Sequence, residues 1–191
     1  MFIVRGTEAH VGQSGCLEEA VAQALDCETA GGKNRSHWEL WLELGPHLLH
    51  AAHHIGTTSS TSYEHSALSR ELAANLLESA QWGNRPADII IRSHRHRYSA
   101  ATLPTHRGQA ELIVTPAWQL RTAFAYKHVS MRLPQIGGLV LGYDQYGFFK
   151  RAMVWAPPRS GSIPLTREAA KRQISTGSSS AKSQRANPAR A

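Results

Sequence analysis

The stretch Ile89-Ile90-Ile91-Arg92-Ser93-His94-Arg95-His96-Arg97-Tyr98 decides the reading of this chain. An apolar run that ends in His-x-His is a strand that leaves two imidazoles at the mouth of a sheet, where a metal ion could be gripped from two sides. A second apolar segment, Leu48-Leu49-His50-Ala51-Ala52, closes on the cluster His50, His53 and His54. A third, Phe2 to Arg5, runs through Gly6 toward His10. Two strands that both finish in histidine point to a metal site on one edge of one sheet.

Working outward, residues Gly56 to Ser62 form a polar loop, and Tyr63 to Trp82 carries Leu68, Leu72, Leu76 and Leu77 on one helical face. Pro86 interrupts that helix, and Asp88 to Arg92 is the next strand. Strand, long helix, strand is the crossover expected of a layered α/β sheet. Upstream, Phe2 to Arg5 is expected to be a buried, central strand. A helix from Leu17 to Cys27 comes next, with Leu17, Val21 and Leu25 recurring at i+4 and Ser14 as its cap. Trp38, Leu40, Leu42 and Leu44 alternate with Glu39, Trp41 and Glu43, and Gly45-Pro46 turns the chain, so residues 37–54 form a hairpin. After Tyr98 the pattern is β-rich, with strands at Glu111 to Thr115, Lys127 to Leu133, Gly137 to Tyr143 and Phe148 to Trp155. A short helix is expected around Leu165 to Ile174, and beyond it a Ser/Ala/Arg-rich disordered end.

The 191 residues suffice for one domain with a sizeable core. No run approaches the roughly 20 apolar residues that a membrane crossing needs. Cys16 and Cys27 form no Cys-x-x-Cys pair, which argues against a thiolate zinc site or a disulfide framework and makes a reducing cytoplasm the expected compartment. The net charge of +7 is unevenly placed: seven basic residues and the single acid Glu168 lie from Arg159 onward, which leaves 14 basic and 13 acidic residues before it. A domain spanning 1–158 is therefore nearly neutral, and the basic tail, 159–191, is what keeps nucleic acid open as a partner.

The histidine order resembles the second half of a calcineurin-like metallophosphoesterase. That family carries a Gly-Asn-His-Asp/Glu turn, a lone His after a strand, and a Gly-His-x-His turn. The corresponding positions here are Gly6-Thr7-Glu8-Ala9-His10, His53, and Ser93-His94-Arg95-His96. The resemblance covers roughly Phe2 to Trp155. It implies a layered α/β/β/α sandwich, incomplete at its N-terminal side because the family's Asp-x-His and Gly-Asp motifs would lie before Gly6. It also implies one or two divalent ions (manganese, zinc, iron or nickel), with His53 and His94 on one and His96 on the other. His10 would take the place of the family's proton donor, and Glu8 would bind metal or act as base.

The chemistry so implied is hydrolysis of phosphomonoesters or phosphodiesters by a metal-activated water, in a centre whose ions stand about 3.5–4 Å apart. Thr7 replaces the family's Asn ligand, Glu8 its following His, and Ser93 the Gly before His-x-His. With no bridging carboxylate other than Glu8, the isolated chain is expected to hydrolyse generic phosphodiesters poorly or not at all. Two further readings compete: a non-catalytic remnant that binds a metal or a partner, and a nucleic-acid-binding protein acting through the tail. Arg92, Arg95 and Arg97 would meet a phosphate or form a solvated basic turn.

Overall fold

Neighbouring side chains on a strand point to opposite faces, so three consecutive isoleucines are all well packed only where a sheet is covered on both sides. The computed structural model describes residues 1–7, 12–56, 63–120 and 135–155, all within the first of two compact units, Met1–Pro157. In chain order its elements are β1 (Ile3–Val4), α1 (Cys16–Ala24, after a 3-10 turn at Gln13–Gly15), β2 (Ser36–His37), β3 (Glu39–Leu44), β4 (His47–Ala52), α2 (Glu64–Trp82), β5 (Ile89–Arg92), β6 (Ser99–Thr105), β7 (Gly108–Val114), β8 (Ile136–Asp144) and β9 (Gly147–Trp155). The fold is mixed α/β, built on a five-stranded sheet in the order β3-β4-β5-β7-β6. The inner strands β4, β5 and β7 are parallel; β3 and β6 pair antiparallel at the two edges.

One face of this sheet carries the core. Ile90, Leu112 and Val114 meet Leu68 and Leu72 of α2, together with Ile55, Ala87 and Ala110. Ile89 and Ile113 are equally buried but alternate to the other face. On that face the hairpin β8–β9 brings Tyr143 and Phe148 onto the His47 ring, at centroid distances of 5.9 and 5.3 Å. Asp88 fixes the entry of β5 between its neighbours. Its backbone N–H donates to Leu48 O at 2.8 Å, its carbonyl accepts from Glu111 N at 2.9 Å, and its carboxylate accepts from Leu48 N at 2.9 Å. Burial would raise the Asp88 pKa, but the Leu48 N–H and the Arg85 and Arg107 guanidiniums outweigh it and hold the group below its ordinary value.

Four expectations need correction. Phe2 to Arg5 is not a central strand of the main sheet: only Ile3–Val4 is extended, pairing in parallel with Ser36 and His37 in a separate two-stranded sheet. The helix begins at Cys16 and ends at Ala24, and its Leu17–Val21–Leu25 stripe faces outward while Ala22 is buried. Periodicity locates an apolar stripe, but here the inner face is set by the carboxylates of Glu18 and Glu19, which are tied to the backbone beside β1 and β2. Ser14 makes no side-chain cap; Gly15, at φ 75°, occupies the cap position instead. Finally, Ser99–Thr105 is a strand that the sequence did not suggest, because Pro104 argues against one. Proline lacks a donor and is tolerated where a strand forms the edge of a sheet, which is where β6 lies.

The expected hairpin is present as β3 and β4, in register from Glu39↔Ala52 to Leu44↔His47. The long helix is α2, and its inner face is Ala67, Leu68 and Leu72, whereas Leu77 is exposed. The strand expected at Lys127 to Leu133, the helix at Leu165 to Ile174 and the basic tail lie outside the described residues.

Candidate metal centre

The parallel strands β4 and β5 end side by side, so the segments that leave them emerge together at one edge of the sheet. Beyond the strands the ladder continues for one more rung, Ser93 N donating to His53 O at 3.0 Å. Ile55 then turns back into the core, and this pins the short segment that carries His53 and His54. The result is a ring contact: His53 Nε2 stands 3.2 Å from His94 Nδ1, with the rings at 78° to one another. The exposed ring of His54 completes a three-imidazole cluster, 5.1 Å from His53 and 4.9 Å from His94 between centroids.

The loop that carries His94 is strained and well anchored. His94 and His96 both adopt left-handed backbone conformations, at φ 66° and 54°, which are uncommon for residues other than glycine and cost on the order of 1–3 kcal/mol each. Ser93 is not among the positive-φ residues, so a side chain is sterically accommodated at that position. Its hydroxyl is 2.9 Å from Thr115 Oγ1, which ties the loop to the end of β7. On the far side Gln135 N donates to His96 O at 3.1 Å, and the Gln135 side chain accepts from Tyr98 N at 2.6 Å.

The arginines of the motif are engaged in the fold. Arg92 pairs with Glu71 of α2 at 2.5 Å and reaches His50 Nδ1 at 3.2 Å. Arg95 donates to the Glu64 and Gly56 carbonyls, and Arg97 lies 3.7 Å from the Glu64 carboxylate. His50 stacks on Trp41, with centroids 4.1 Å apart and planes at 7°, and meets Glu39 through Nε2. Burial and the positive charge of Arg92 together hold His50 below its ordinary pKa, against the opposing pull of Glu39. His50 faces the α2 side and is not part of the imidazole cluster.

The N-terminal segment is joined to the strand that leads into β3. β1 runs parallel to β2, Arg5 N donates to His37 O at 2.7 Å, and β3 starts two residues later at Glu39, the partner of Ala52. Arg5 is buried and holds this segment to α1: it donates to Ser36 Oγ, Ser14 O and Glu19 Oε2 and lies 5.2 Å over Trp38. Glu19 accepts from the Arg35 N–H, the Ser36 hydroxyl, the Ser36 N–H and Arg5, which lowers its pKa to about 2. Beyond this clamp, Thr7 Oγ1 is buried with no hydrogen-bond partner among the described residues. Glu8 and His10, the candidate base or ligand and the candidate proton donor, lie outside the described residues.

Two nitrogens each about 2.0–2.1 Å from one tetrahedral ion stand roughly 3.3–3.4 Å apart. The His53–His94 separation of 3.2 Å fits that spacing. It is equally a hydrogen-bond distance, in which one ring offers N–H and the other a lone pair. Among the described residues no group of three or more His, Cys, Asp or Glu side chains is arranged to hold an ion. His53, His94 and His96 therefore do not form one three-ligand set; only the His53 and His94 rings approach one another this closely. The sequence pattern pointed to His53 and His94 through the strand ends. It gave no sign of the Thr115 and Gln135 anchors, which come from elements distant in sequence.

No family model matches the chain, and no curated protein matches it. Among solved structures it is similar to a single-mutant form of Vps29 from Entamoeba histolytica, a protein of the calcineurin-like metallophosphoesterase fold, with 10% identity and a TM-score of 0.34 over 67% of this chain. The match spans 64% of the length of that structure. At that score the likeness decides neither ligand nor activity.

Proposed function

We propose that the chain is a metal-dependent phosphoesterase-like protein of layered α/β/β/α type, acting on phosphomonoesters or phosphodiesters, with His53 and His94 as two ligands of a divalent ion. The observation that carries this is the 3.2 Å approach of His53 Nε2 to His94 Nδ1 across the C-terminal ends of two neighbouring parallel strands, the edge where α/β sheets commonly bind ligands. When bound, a manganese or zinc ion would polarise the phosphate and lower the pKa of a water molecule. The chain's own part is to present two neutral imidazoles: His53 and His94 must both offer lone pairs, so their protons sit on His53 Nδ1 and His94 Nε2 in the loaded state. His96 is proposed as a ligand of a second ion, Glu8 as a ligand or base, and His10 as the proton donor to the leaving oxygen.

The test is metal titration of the full chain by calorimetry, alongside His53→Ala and His94→Ala. Each variant should lower manganese or zinc affinity by at least tenfold, and hydrolysis of p-nitrophenyl phosphate, where measurable, should be lost with it. Unchanged affinity in both variants refutes the centre.

A further inference from the structure

One long side of β9 is uncovered. Among the described residues this strand pairs with β8 alone, from Gly147↔Asp144 to Trp155↔Ile136. From Phe149 to Trp155 its residues are exposed on both faces, whereas Leu139 and Leu141 of β8 are half-buried. β9 is therefore the outer strand of its hairpin, with a row of backbone N–H and C=O groups turned outward. No proline interrupts the row, and Phe148, Phe149, Val154 and Trp155 are residue types that favour pairing. Phe149, Met153 and Trp155 share one face and are 45%, 39% and 54% exposed, Trp155 even with the Trp118 ring 6.5 Å away. On the other face Lys150 is matched to Glu111 of β7. The exposed parts of Phe149, Met153, Val154 and Trp155 come to about 350 Å² per copy, at roughly 200 Å² for each whole side chain. With the backbone row and the stems of Lys150 and Arg151, two copies would bury about 1,000 Å², the lower end for a specific interface.

We propose that β9 is the contact surface of a homodimer, pairing antiparallel with β9 of a second copy across a two-fold axis and joining two hairpins into one four-stranded sheet. Such an axis, normal to the sheet, keeps like faces together, so it passes at a residue and not between two. Centred on Lys150 or Arg151, the pairing sets two like charges directly opposite one another, which is unfavourable. Centred on Ala152, it opposes Phe149 to Trp155 of the second copy, Lys150 to Val154, Arg151 to Met153, and alanine to alanine. That register places an aromatic pair at each end of the ladder and no like charges across it. Centres at Phe149 or Met153 shorten the ladder.

The test is sedimentation velocity of the full chain between about 1 and 100 μM, the range in which an interface of this size dissociates. The unaltered chain should pass from a mass of 21.0 kDa to twice that value as concentration rises. Ala152 is exposed, so Ala152→Glu and Ala152→Lys should leave the far-UV circular dichroism of the chain unchanged. Each sets two like charges opposite one another at the axis and should weaken the dimer by about tenfold or more. Mixed one to one, the two variants should dimerise again, at least as tightly as the unaltered chain. A chain that stays monomeric at about 100 μM overturns the proposal. Dimers that persist in both variants overturn it too, and mean association through another surface. Monomeric variants that fail to recombine overturn the pairing about Ala152.

Discussion

Replacing Leu72 by alanine should be far more damaging than the same change at Leu77, although both belong to one apolar stripe in the sequence. Leu72 is fully buried among Leu68, Ile90, Leu112 and Val114, whereas Leu77 is 71% exposed. Removing three buried carbons forfeits about 2.4 kcal/mol of transfer free energy at ~0.8 kcal/mol each. The cavity left between a helix and a sheet collapses only in part, which brings the loss to about 3–4 kcal/mol. Leu77→Ala should stay within about 0.5 kcal/mol. In urea unfolding followed by far-UV circular dichroism, a slope of about 2 kcal/mol/M converts the Leu72 loss into a midpoint lowered by roughly 1.5–2 M. Equal midpoints for the two variants would refute the orientation of α2, and with it the assignment of which sheet face carries the core.

Three further outcomes rest on particular contacts. His50 is held neutral in the fold, so the unfolded chain takes up a proton first as pH falls below the ordinary value of 6.5; stability should be flat above that value and decline as pH drops toward the lowered folded pKa, and the decline should vanish in His50→Gln if the assignment is right. Asn75 pairs both its amide ends with the backbone of Ala87, at 3.0 and 3.1 Å; Asn75→Leu should cost about 1–3 kcal/mol and speed hydrogen exchange at the Ala87 amide, and unchanged exchange would contradict the pairing. Because His94 sits at φ 66°, His94→Gly should leave stability in chelator unchanged or raise it by up to ~1 kcal/mol, while His94→Val lowers it by about 1–2 kcal/mol; equal thermal midpoints for the two would show that the loop is not strained.

What the sequence disclosed, and what it hid, divides along physical lines. The isoleucine run, the alternation from Trp38 to Leu44 and the leucines of α2 are local periodicities, and each led to an element close to its expected bounds. The partner of an element is a different kind of information. Ile3–Val4 is extended as its composition suggests, yet nothing local tells that its neighbour is Ser36–His37 and not β4. The outward stripe of α1 was hidden for the same reason: Glu18 and Glu19 look like solvent-facing residues until their partners, Gly6, Arg35 and Ser36, are brought to them by the fold. At the site, the pairing of His53 with His94 was legible because both come after strands joined by one crossover. The left-handed backbone at His94 was not, since a Ser-His-Arg-His string carries no glycine to announce it.

The ends of the five-stranded sheet bear on how this molecule behaves in a crowd of its own copies. An edge strand offers a row of unpaired backbone groups on which another chain can polymerise, and proteins that stay dispersed guard such rows with proline or charge. β6, the edge on one side, carries Pro104 in its second half; β3, the edge on the other, carries Glu39 and Glu43. Each border of the sheet is therefore a poor template, by a missing donor on one side and by repelling carboxylates on the other. Pro104→Val would restore the donor and remove the ring in a single step, turning a border that ends the sheet into one that invites aggregation.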